Sequence, residues 1–316
     1  MSEREKQLIR GTINLRPKHH GSVVTIGAYD GVHLGHQAII KQVVDKAKEL
    51  SLPSVAVIFE PLPREFFQPS SSVARIHPFR EKCQALFANG IDRVLCLPFN
   101  QSLSTISPQD FVQNILTEGL GVKYLVVGDD FRFGKDRAGD KALLDKEGLI
   151  HGFSVTSAET VELHGERVSS TRIRNLLAVN DFTAAAECLG RPFSISGKVV
   201  YGKQLGRTLG IPTANIVLKR ITSPLVGSFA GRVFVPSEGS FNAVINIGVR
   251  PTVNALPKPL LEAHLLNYDR SLYGKRIEVE FLHKLRDEKK FPSVDVLKQQ
   301  IYQDIEDAKH FFKNKS

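Results

Sequence analysis

The chain contains little cysteine: Cys83, Cys96 and Cys188 are its three, and they lie far apart among 316 residues. A structural zinc site takes about four thiolate or imidazole ligands, usually at short spacings along the chain. Three isolated cysteines do not provide such a set. Their small number fits a reducing compartment, and we therefore expect a cytoplasmic protein.

Long apolar runs are also absent. No stretch is long enough to cross a bilayer as a helix, and the opening residues, MSEREKQ, lack the apolar core of a signal peptide. We therefore expect neither a membrane partner nor export.

Basic residues are in excess, but they do not form a run. Lys and Arg number 42 against 33 Asp and Glu, which gives a net charge of +9, and aromatic residues are not interleaved with them. An excess of positive charge suits either a nucleic acid or small polyanionic substrates. This distribution favours small phosphates, and we expect no nucleic-acid partner and no required oligomer.

The length and composition fit a globular protein of two domains, with 42% hydrophobic and 24% charged residues. Residues 23–190 alternate between strand-like and helix-like segments, which predicts an α/β domain with an open parallel sheet and helices on both faces. Its predicted strands are Val23–Ile26, Ser54–Phe59, Arg93–Leu97 and Tyr124–Val127.

From Phe193 the pattern changes to short alternating stretches separated by Gly and Pro turns, which predicts a small antiparallel β-barrel. Its predicted strands are Ser194–Val200, Arg232–Pro236, Asn242–Ile247, Leu260–Leu266 and Arg276–Leu282. A C-terminal helix follows, and its apolar stripe predicts packing against the barrel: Val294, Leu297, Ile301, Ile305, Ala308 and Phe312. We place the boundary between a domain of residues 1–186 and a domain of residues 187–316.

Two histidines open the helix that follows the first of these strands. Gly27 and Gly31 allow a tight turn and close approach of a ligand to the backbone, and His33 and His36 project from the first helical turn. The amides of that turn form an anion site, and imidazoles there can stabilise the charge on a transferring phosphate. The alternatives are two structural histidines or, less well supported, a zinc site.

Two further segments combine polar and basic groups. The loop Gly128–Asp136 follows a strand, but its spacing is not that of a Walker phosphate loop. It offers aromatic and charged groups that suit a planar ring and phosphates, or it is a surface loop. The segment Ser169–Arg174 opens a helix, where its hydroxyls either cap the backbone or bind phosphate beside Arg172 and Arg174.

The barrel has its own candidate site. Glycines at 202, 206 and 210 suit a flap over phosphates, or simple turns between strands. Thr213 and Asn215 offer neutral oxygens suited to Mg²⁺ held together with phosphates. Strand alternation places Glu262 on the face opposite to Leu261, where it is either a general base for a hydroxyl that attacks a phosphate or a solvent-facing glutamate.

These segments resemble the motifs of the prokaryotic bifunctional riboflavin kinase/FAD synthetase family over nearly the whole chain. In the N-terminal half the matches are GAYDGVHLGH at 27–36, the segment 128–134 and SSTRIR at 169–174. In the C-terminal half they are the segment 197–215, which ends in PTAN, and the segments 246–252, 272–274 and 285–291.

The resemblance implies a Rossmann-like domain that adenylylates FMN to FAD and a barrel domain that phosphorylates riboflavin to FMN, with ATP and Mg²⁺. It implies that His33 and His36 stabilise the transferring phosphate and that Glu262 is the base acting on the ribityl hydroxyl. Thr213 and Asn215 would bind Mg²⁺ with ATP. The other implied nucleotide- or flavin-binding residues are Gly27, Asp30, Gly31, Asp130, Phe131, Ser170, Thr171, Arg174, Gly202, Lys203, Gly210 and Arg286.

The sequence departs from the family pattern at several positions. Ala28, Tyr29 and Leu62 stand where Asn, Phe and His are common, and Asn267-Tyr268 stands where Asp-Phe is common. Four alternatives stay open: a riboflavin kinase whose adenylyltransferase half is weakened, a nucleotidyltransferase for another phosphate, an aminoacyl-tRNA-synthetase-like fragment, and an RNA-binding protein with a barrel module.

Overall fold

The computed structural model describes residues 5–69, 73–202, 210–218, 222–252 and 255–314, and it divides the chain into two compact units. We call residues 1–73 and 77–170 the N-terminal unit, and residues 74–76 and 171–316 the C-terminal unit. The boundary at residues 186 and 187 stays a prediction.

A six-stranded parallel sheet forms the centre of the N-terminal unit, in the order β1-β4-β3-β2-β5-β6. The strands are β1 Gln7–Arg10, β2 Ser22–Ile26, β3 Ser54–Glu60, β4 Arg93–Pro98, β5 Val122–Gly128 and β6 Ser154–Ala158. A two-stranded hairpin follows them, β7 Glu162–Leu163 and β8 Glu166–Arg167. The predicted parallel sheet is therefore confirmed, with two edge strands, β1 and β6, that were not predicted.

Helices of the N-terminal half follow most of these strands: α1 Leu34–Glu49, α2 Pro63–Phe67, α3 Phe79–Ala88, α4 Gln101–Ser104, α5 Pro108–Phe111, which continues as a π-helix Val112–Thr117, and α6 Lys141–His151. Strand β2 has Val24 in one buried cluster and Val23 in another. Because successive side chains of a strand point to opposite faces, the sheet has a hydrophobic core on each side.

The strand order places one crevice at a defined position. The chain passes from β2 through β3 to β4 on one side of the sheet and then returns to β5 on the other side of β2. In open α/β sheets ligands bind outside the carboxyl ends of the strands at such a reversal. The residues that follow Ile26 and Gly128, which are the ends of β2 and β5, therefore face the expected ligand position.

The C-terminal unit contains a closed six-stranded antiparallel barrel, in the order β10-β13-β12-β11-β14-β9. The strands are β9 Ser194–Val200, β10 Ala214–Val217, β11 Gly227–Val235, β12 Gly239–Thr252, β13 Ala255–Leu265 and β14 Arg276–Arg286, and the helices are α7 Ser170–Ala178, α8 Phe182–Leu189 and α9 Val294–Asn314. The predicted barrel is confirmed. It has one further strand, β10, in the segment for which only ligand binding was predicted.

Pairing across the barrel forms a polar row on one face. Asn215 lies opposite Glu262, Glu262 opposite Asn246, Asn246 opposite Ser228, and Ser228 opposite Arg286. Directly opposite residues share a face of a sheet, so five consecutive strands each contribute one polar side chain to the row.

Helix α9 packs on the barrel through its predicted apolar stripe. Ile305, Ala308 and Phe312 are buried in a cluster with Ala230 and Val244 of the barrel. Val294, the first residue of the predicted stripe, is not buried: it is 49% exposed at the start of the helix. Among the helices that the structure describes, none is long and apolar enough to span a membrane.

One buried ion pair joins α9 to the polar row. The Nε and Nη2 of Arg286 donate to the carboxylate of Asp304 at 2.9 and 2.8 Å, and Ser228 Oγ donates to the same carboxylate at 3.0 Å. Asp304 is 3% exposed. Removal of one partner from such a pair leaves the other charge buried and uncompensated.

We expect Asp304→Ala to lower the free energy of unfolding of the barrel unit by about 3–5 kcal/mol, the usual effect of breaking a buried ion pair. Asp307→Ala is the matched control, because Asp307 is on the same helix, is exposed and accepts one hydrogen bond from Gln303. Chemical denaturation of the full chain, followed by circular dichroism, measures both. Equal losses in the two variants would contradict a special role of the buried pair.

Candidate active sites

The two histidines of the N-terminal unit form a stacked pair at the start of α1. His33 is the N-cap residue, and its Nδ1 accepts a hydrogen bond from the His36 amide at 3.4 Å. The ring centroids lie 3.7 Å apart with an interplanar angle of 20°. Because Nδ1 of His33 accepts this hydrogen bond, the proton of the ring is on Nε2.

His36 is held as a neutral imidazole. Burial lowers the pKa of His36 well below its ordinary value, and the nearby charges of His33, Lys82 and His77 lower this pKa further. Its Nδ1 is buried and has no hydrogen-bond partner among the residues that the structure describes. A neutral imidazole with a spare ring nitrogen suits hydrogen bonding to a phosphate oxygen.

Two of these neighbours, His77 and Lys82, were not predicted from the sequence. Lys82 is fully buried on α3, three residues after Phe79 and on the side of the helix that carries Cys83 and Leu86. The sequence signal for Lys82 was its position on the apolar face of α3, where Phe79, Cys83 and Leu86 recur at helical spacing.

The glycine turn before α1 is fixed by internal hydrogen bonds. Asp30 is 2% exposed, and its Oδ1 accepts from the His77 amide at 2.9 Å, while its carbonyl accepts from Ser170 Oγ at 2.8 Å. Gly31 has φ +88°, a conformation that favours glycine. A Cβ at Gly27 would lie 3.0 Å from the Tyr29 ring. The structure therefore brings Gly27, Asp30, Gly31 and Ser170 together around the turn.

The ring of Tyr29 packs beside the ring of His36. Its ring is 1% exposed and lies 4.9 Å from the His36 ring, and its hydroxyl shares a hydrogen bond of 2.6 Å with Thr25 Oγ1. Burial raises the pKa of the Tyr29 hydroxyl, which stays neutral. The substitution of Tyr for the common Phe thus adds a hydroxyl with a partner inside the core.

An arginine that was not selected from the sequence holds the loop after β5. Arg167 of the hairpin donates to Asp129 at 3.2 Å and to Asp130 at 3.1 Å. A hydrogen bond from Thr160, and then the charge of Arg167, lower the pKa of Asp129. Asp130, a predicted ligand residue, therefore lies just after β5, where it is exposed and forms an ion pair with Arg167.

Aromatic side chains line a cavity of about 750 Å³ beside that loop. Phe59 is the next-to-last residue of β3, and Phe99 directly follows β4. Phe131 follows the end of β5 and stacks on Phe133 with ring centroids 5.6 Å apart. Arg64, Arg132 and Arg137 also line this cavity. Flat apolar walls with basic groups beside them suit a planar ring that carries a phosphate.

Two predicted site residues on α7 belong to the C-terminal unit. Thr171 is the second residue of the helix, and the Nε of Arg174 donates to the carbonyl of Ala74 at 3.1 Å. Their proposed contacts with nucleotide stay predictions.

The barrel has a second cavity, of about 330 Å³, which Gly210, Thr213 and Asn215 line. Asn215 is 5% exposed, its Nδ2 donates to the carbonyl of Thr213 at 3.2 Å, and its Oδ1 has no hydrogen-bond partner among the described residues. A Cβ at Gly202 would lie 2.7 Å from the Asn215 side chain, so Gly202 leaves room for that amide. Lys203 lies outside the described residues.

Glu262 is next to this cavity without lining it. It is half-buried and lies opposite Asn215 in the ladder, while Leu261 and Ala263 are buried on the other face. The predicted alternation of β13 is therefore confirmed. Arg286, in contrast, directs its guanidinium to Asp304 and to the Asp287 carbonyl at 3.0 Å, so its expected proximity to a flavin stays a prediction.

Comparisons with known proteins follow the same division of the chain. A family model described as FAD synthetase matches residues 15–172, and one described as riboflavin kinase matches residues 189–312. The bifunctional riboflavin kinase/FMN adenylyltransferase of Pseudomonas fluorescens is 51% identical over 96% of this chain and 97% of its own. The protein of the same description from Escherichia coli K12 is 43% identical over 97% and 98%.

The fold also resembles a solved structure. A macrolide-efflux protein from Streptococcus pneumoniae superposes with a TM-score of 0.77 and 28% identity, covering 96% of this chain and 98% of that chain. This agreement extends over both units.

We expect the stability of the N-terminal unit to fall as the pH falls below about 6.5. The His36 pKa is lower in the folded state than in the unfolded state, so between the two values the unfolded state binds more protons. One such group changes the unfolding free energy by at most about 1.4 kcal/mol per pH unit. Denaturation at several pH values should give a shallower slope for His36→Gln than for the wild type, and equal slopes would contradict a neutral His36.

Proposed function

The chain belongs to the family of bifunctional riboflavin kinase/FMN adenylyltransferases, and we propose that its two reactions use two separate sets of residues. The histidine pair serves adenylyl transfer, and Glu262 with Thr213 and Asn215 serves the kinase reaction. The observation that supports this division is that each matched segment contains its own candidate polar residues and its own cavity.

In adenylyl transfer, a phosphate oxygen of FMN attacks the α-phosphorus of ATP. The new bond joins FMN to AMP as FAD, and the bond to the β-phosphate breaks, which releases pyrophosphate. Nε2–H of His33 and the neutral ring of His36 would donate hydrogen bonds to phosphate oxygens, together with the first amides of α1. These donors stabilise the charge that develops in the transition state without forming a covalent intermediate.

The aromatic cavity would receive the flavin ring of FMN. Phe99 and Phe131 offer apolar ring surfaces, and the nearby arginines suit the phosphate. The cavity lies at the carboxyl ends of β3, β4 and β5, which is the edge of the sheet where the histidine pair begins its helix.

In the kinase reaction, the ribityl 5′-hydroxyl of riboflavin attacks the γ-phosphorus of ATP, and ADP leaves. Glu262 would accept the hydroxyl proton, the base role in phosphoryl transfer. Thr213 and Asn215 would hold Mg²⁺, since the Oδ1 of Asn215 is a buried acceptor without a partner in the described structure. When bound, the metal neutralises charge on the phosphates.

The proposal places the reactions in the cytoplasm, since Cys83, Cys96 and Cys188 are all free thiols. Neither site as described requires a nucleic acid, a membrane or a second copy of the chain.

We expect Glu262→Gln to lower the rate of FMN formation by at least about 100-fold, the usual contribution of a general base. Added FMN should still be converted to FAD. His33→Ala combined with His36→Ala should do the reverse. Incubation of each variant with ATP, Mg²⁺ and either riboflavin or FMN, followed by separation of the flavins, measures both activities. Loss of both activities in either folded variant would contradict two separable sites.

We also expect Phe99→Leu to raise the KM for FMN in adenylyl transfer by about threefold to tenfold, as loss of one aromatic contact predicts. The kinase KM for riboflavin should not change. Phe87→Leu is the control, since Phe87 is also half-buried but packs in the cluster on the other face of the sheet. An unchanged KM for FMN would exclude this cavity as the flavin site.

A further inference from the structure

One wall of the barrel cavity consists of an irregular segment. Six of the cavity's lining residues are consecutive, from Tyr268 to Tyr273, and they lie between the end of β13 at Leu265 and the start of β14 at Arg276. The structure assigns no strand or helix to these six residues. Ladder hydrogen bonds therefore do not run through this wall. Among the described residues, backbone bonds hold only its C-terminal end, where the Lys275 amide donates to the Leu272 carbonyl and the Gly274 amide donates to the Val199 carbonyl, both at 3.0 Å. Side-chain contacts add to these bonds.

A single carboxylate makes three of these contacts. Glu238, in the turn between β11 and β12, accepts from Tyr268 at 3.1 Å and from Arg270 at 3.3 Å, and its other oxygen accepts from Lys275 at 2.5 Å. The Glu238 side chain is 14% exposed. Its partners lie at the beginning, the middle and just past the end of the wall segment.

The three contacts are of unequal strength. The bond from Lys275 lowers the pKa of Glu238, which is therefore ionised at neutral pH. Arg270 is 73% exposed, and an exposed ion pair contributes little by itself. Tyr268 is partly buried, and its ring also packs edge-to-face on Phe241 with ring centroids 4.8 Å apart. Tyr268 is thus held by packing as well as by its hydrogen bond, while Lys275, whose side chain is 42% exposed, makes the shortest of the three contacts.

Tyr268 is also a position where this sequence departs from the common family pattern. The aromatic ring is retained, and the added hydroxyl donates to Glu238. A phenylalanine would keep the contact with Phe241 and lose the hydrogen bond. The departure therefore adds an attachment between the wall segment and the turn at Glu238.

We propose that Glu238 is a positioning residue for the nucleotide of the kinase reaction, which holds the segment Tyr268–Lys275 in the shape that receives a nucleoside triphosphate. This inference rests on the proposed function of the barrel cavity. A wall that is already ordered does not have to be fixed when the nucleotide binds, so less binding energy is lost. Glu238 does not touch the reacting atoms in this role, and its effect is on affinity.

The test is steady-state kinetics of riboflavin phosphorylation by the full chain with varied ATP. Glu238→Gln should raise the KM for ATP by about threefold to tenfold, the size of one ordinary hydrogen bond, and should leave kcat within about twofold. Tyr268→Phe should give a smaller rise in KM. Glu238→Asp, which keeps the charge, should lie between Glu238→Gln and the wild type.

Two controls separate positioning from a general loss of structure. Adenylyl transfer from ATP to FMN, measured on the same preparations, should be unchanged. Glu278→Gln is the matched variant, because Glu278 is another barrel carboxylate whose partner is a hydroxyl, that of Ser194 on the neighbouring strand. It should leave the kinase KM for ATP unchanged.

Several outcomes would overturn the proposal. An unchanged KM in Glu238→Gln would show that the segment keeps its shape without the carboxylate, and a lower KM would show that Glu238 withholds Arg270 or Lys275 from phosphate. A fall in kcat with an unchanged KM would place Glu238 in the chemical step. Retained kinase turnover in Glu262→Gln would refute the proposed base alone, and the comparison of KM values would still decide the role of Glu238.

Discussion

Two imidazole rings stacked 3.7 Å apart cannot both be charged, and the chemistry of the N-terminal unit depends on this constraint. Like charges at that distance repel strongly, and burial of His36 further disfavours its cation. In the proposed adenylyl transfer, the pair would therefore act on a phosphate as hydrogen-bond donors. Neutral donors at the start of a helix stabilise developing charge without forming a tight ion pair with the substrate in its ground state.

The position of the pair depends on the strand order. Because β2 lies at the centre and the chain reverses around it, the turn that precedes α1 and the loop that follows β5 emerge at the same edge of the sheet. Hydrogen bonds then fix the turn, and ion pairs fix the loop. Asp30 ties the turn to His77 and Ser170, and Arg167 ties the loop through Asp129 and Asp130.

The architecture was predictable from the sequence because apolar runs and glycine turns mark buried strands directly. Strands β1 and β6 were missed, since QLIR is very short and SVTSA has few large apolar residues. The histidine pair and the Thr213–Asn215 segment could be selected as candidates because each lies within a few consecutive residues. The contributions of Lys82, Arg167 and Glu238 were not found, because each acts on a segment that is distant in sequence.

The sequence also does not show the register of the strands, that is, which residues of neighbouring strands lie opposite each other. Alternation placed Glu262 on one face of β13, but only the pairing of β13 with β10 and β12 shows that Asn215 and Asn246 are its neighbours. The same register continues to Ser228 and Arg286, where Asp304 of α9 closes the row. The candidate base and the pair that attaches α9 thus belong to one polar row.

Two of the departures from the family pattern add a hydroxyl that has a partner inside the structure. Tyr29 and Tyr268 each replace a common Phe, and each hydroxyl has an internal partner, Thr25 in one case and Glu238 in the other. A buried hydroxyl with a partner avoids most of the desolvation penalty, so neither substitution removes the packing role of the ring. The same reasoning applies to the basic groups beside the sites, where Arg167, Lys275 and Arg286 each bind a carboxylate. These ion pairs hold loops and strands in place, so part of the positive charge of the chain is used in internal contacts with carboxylates.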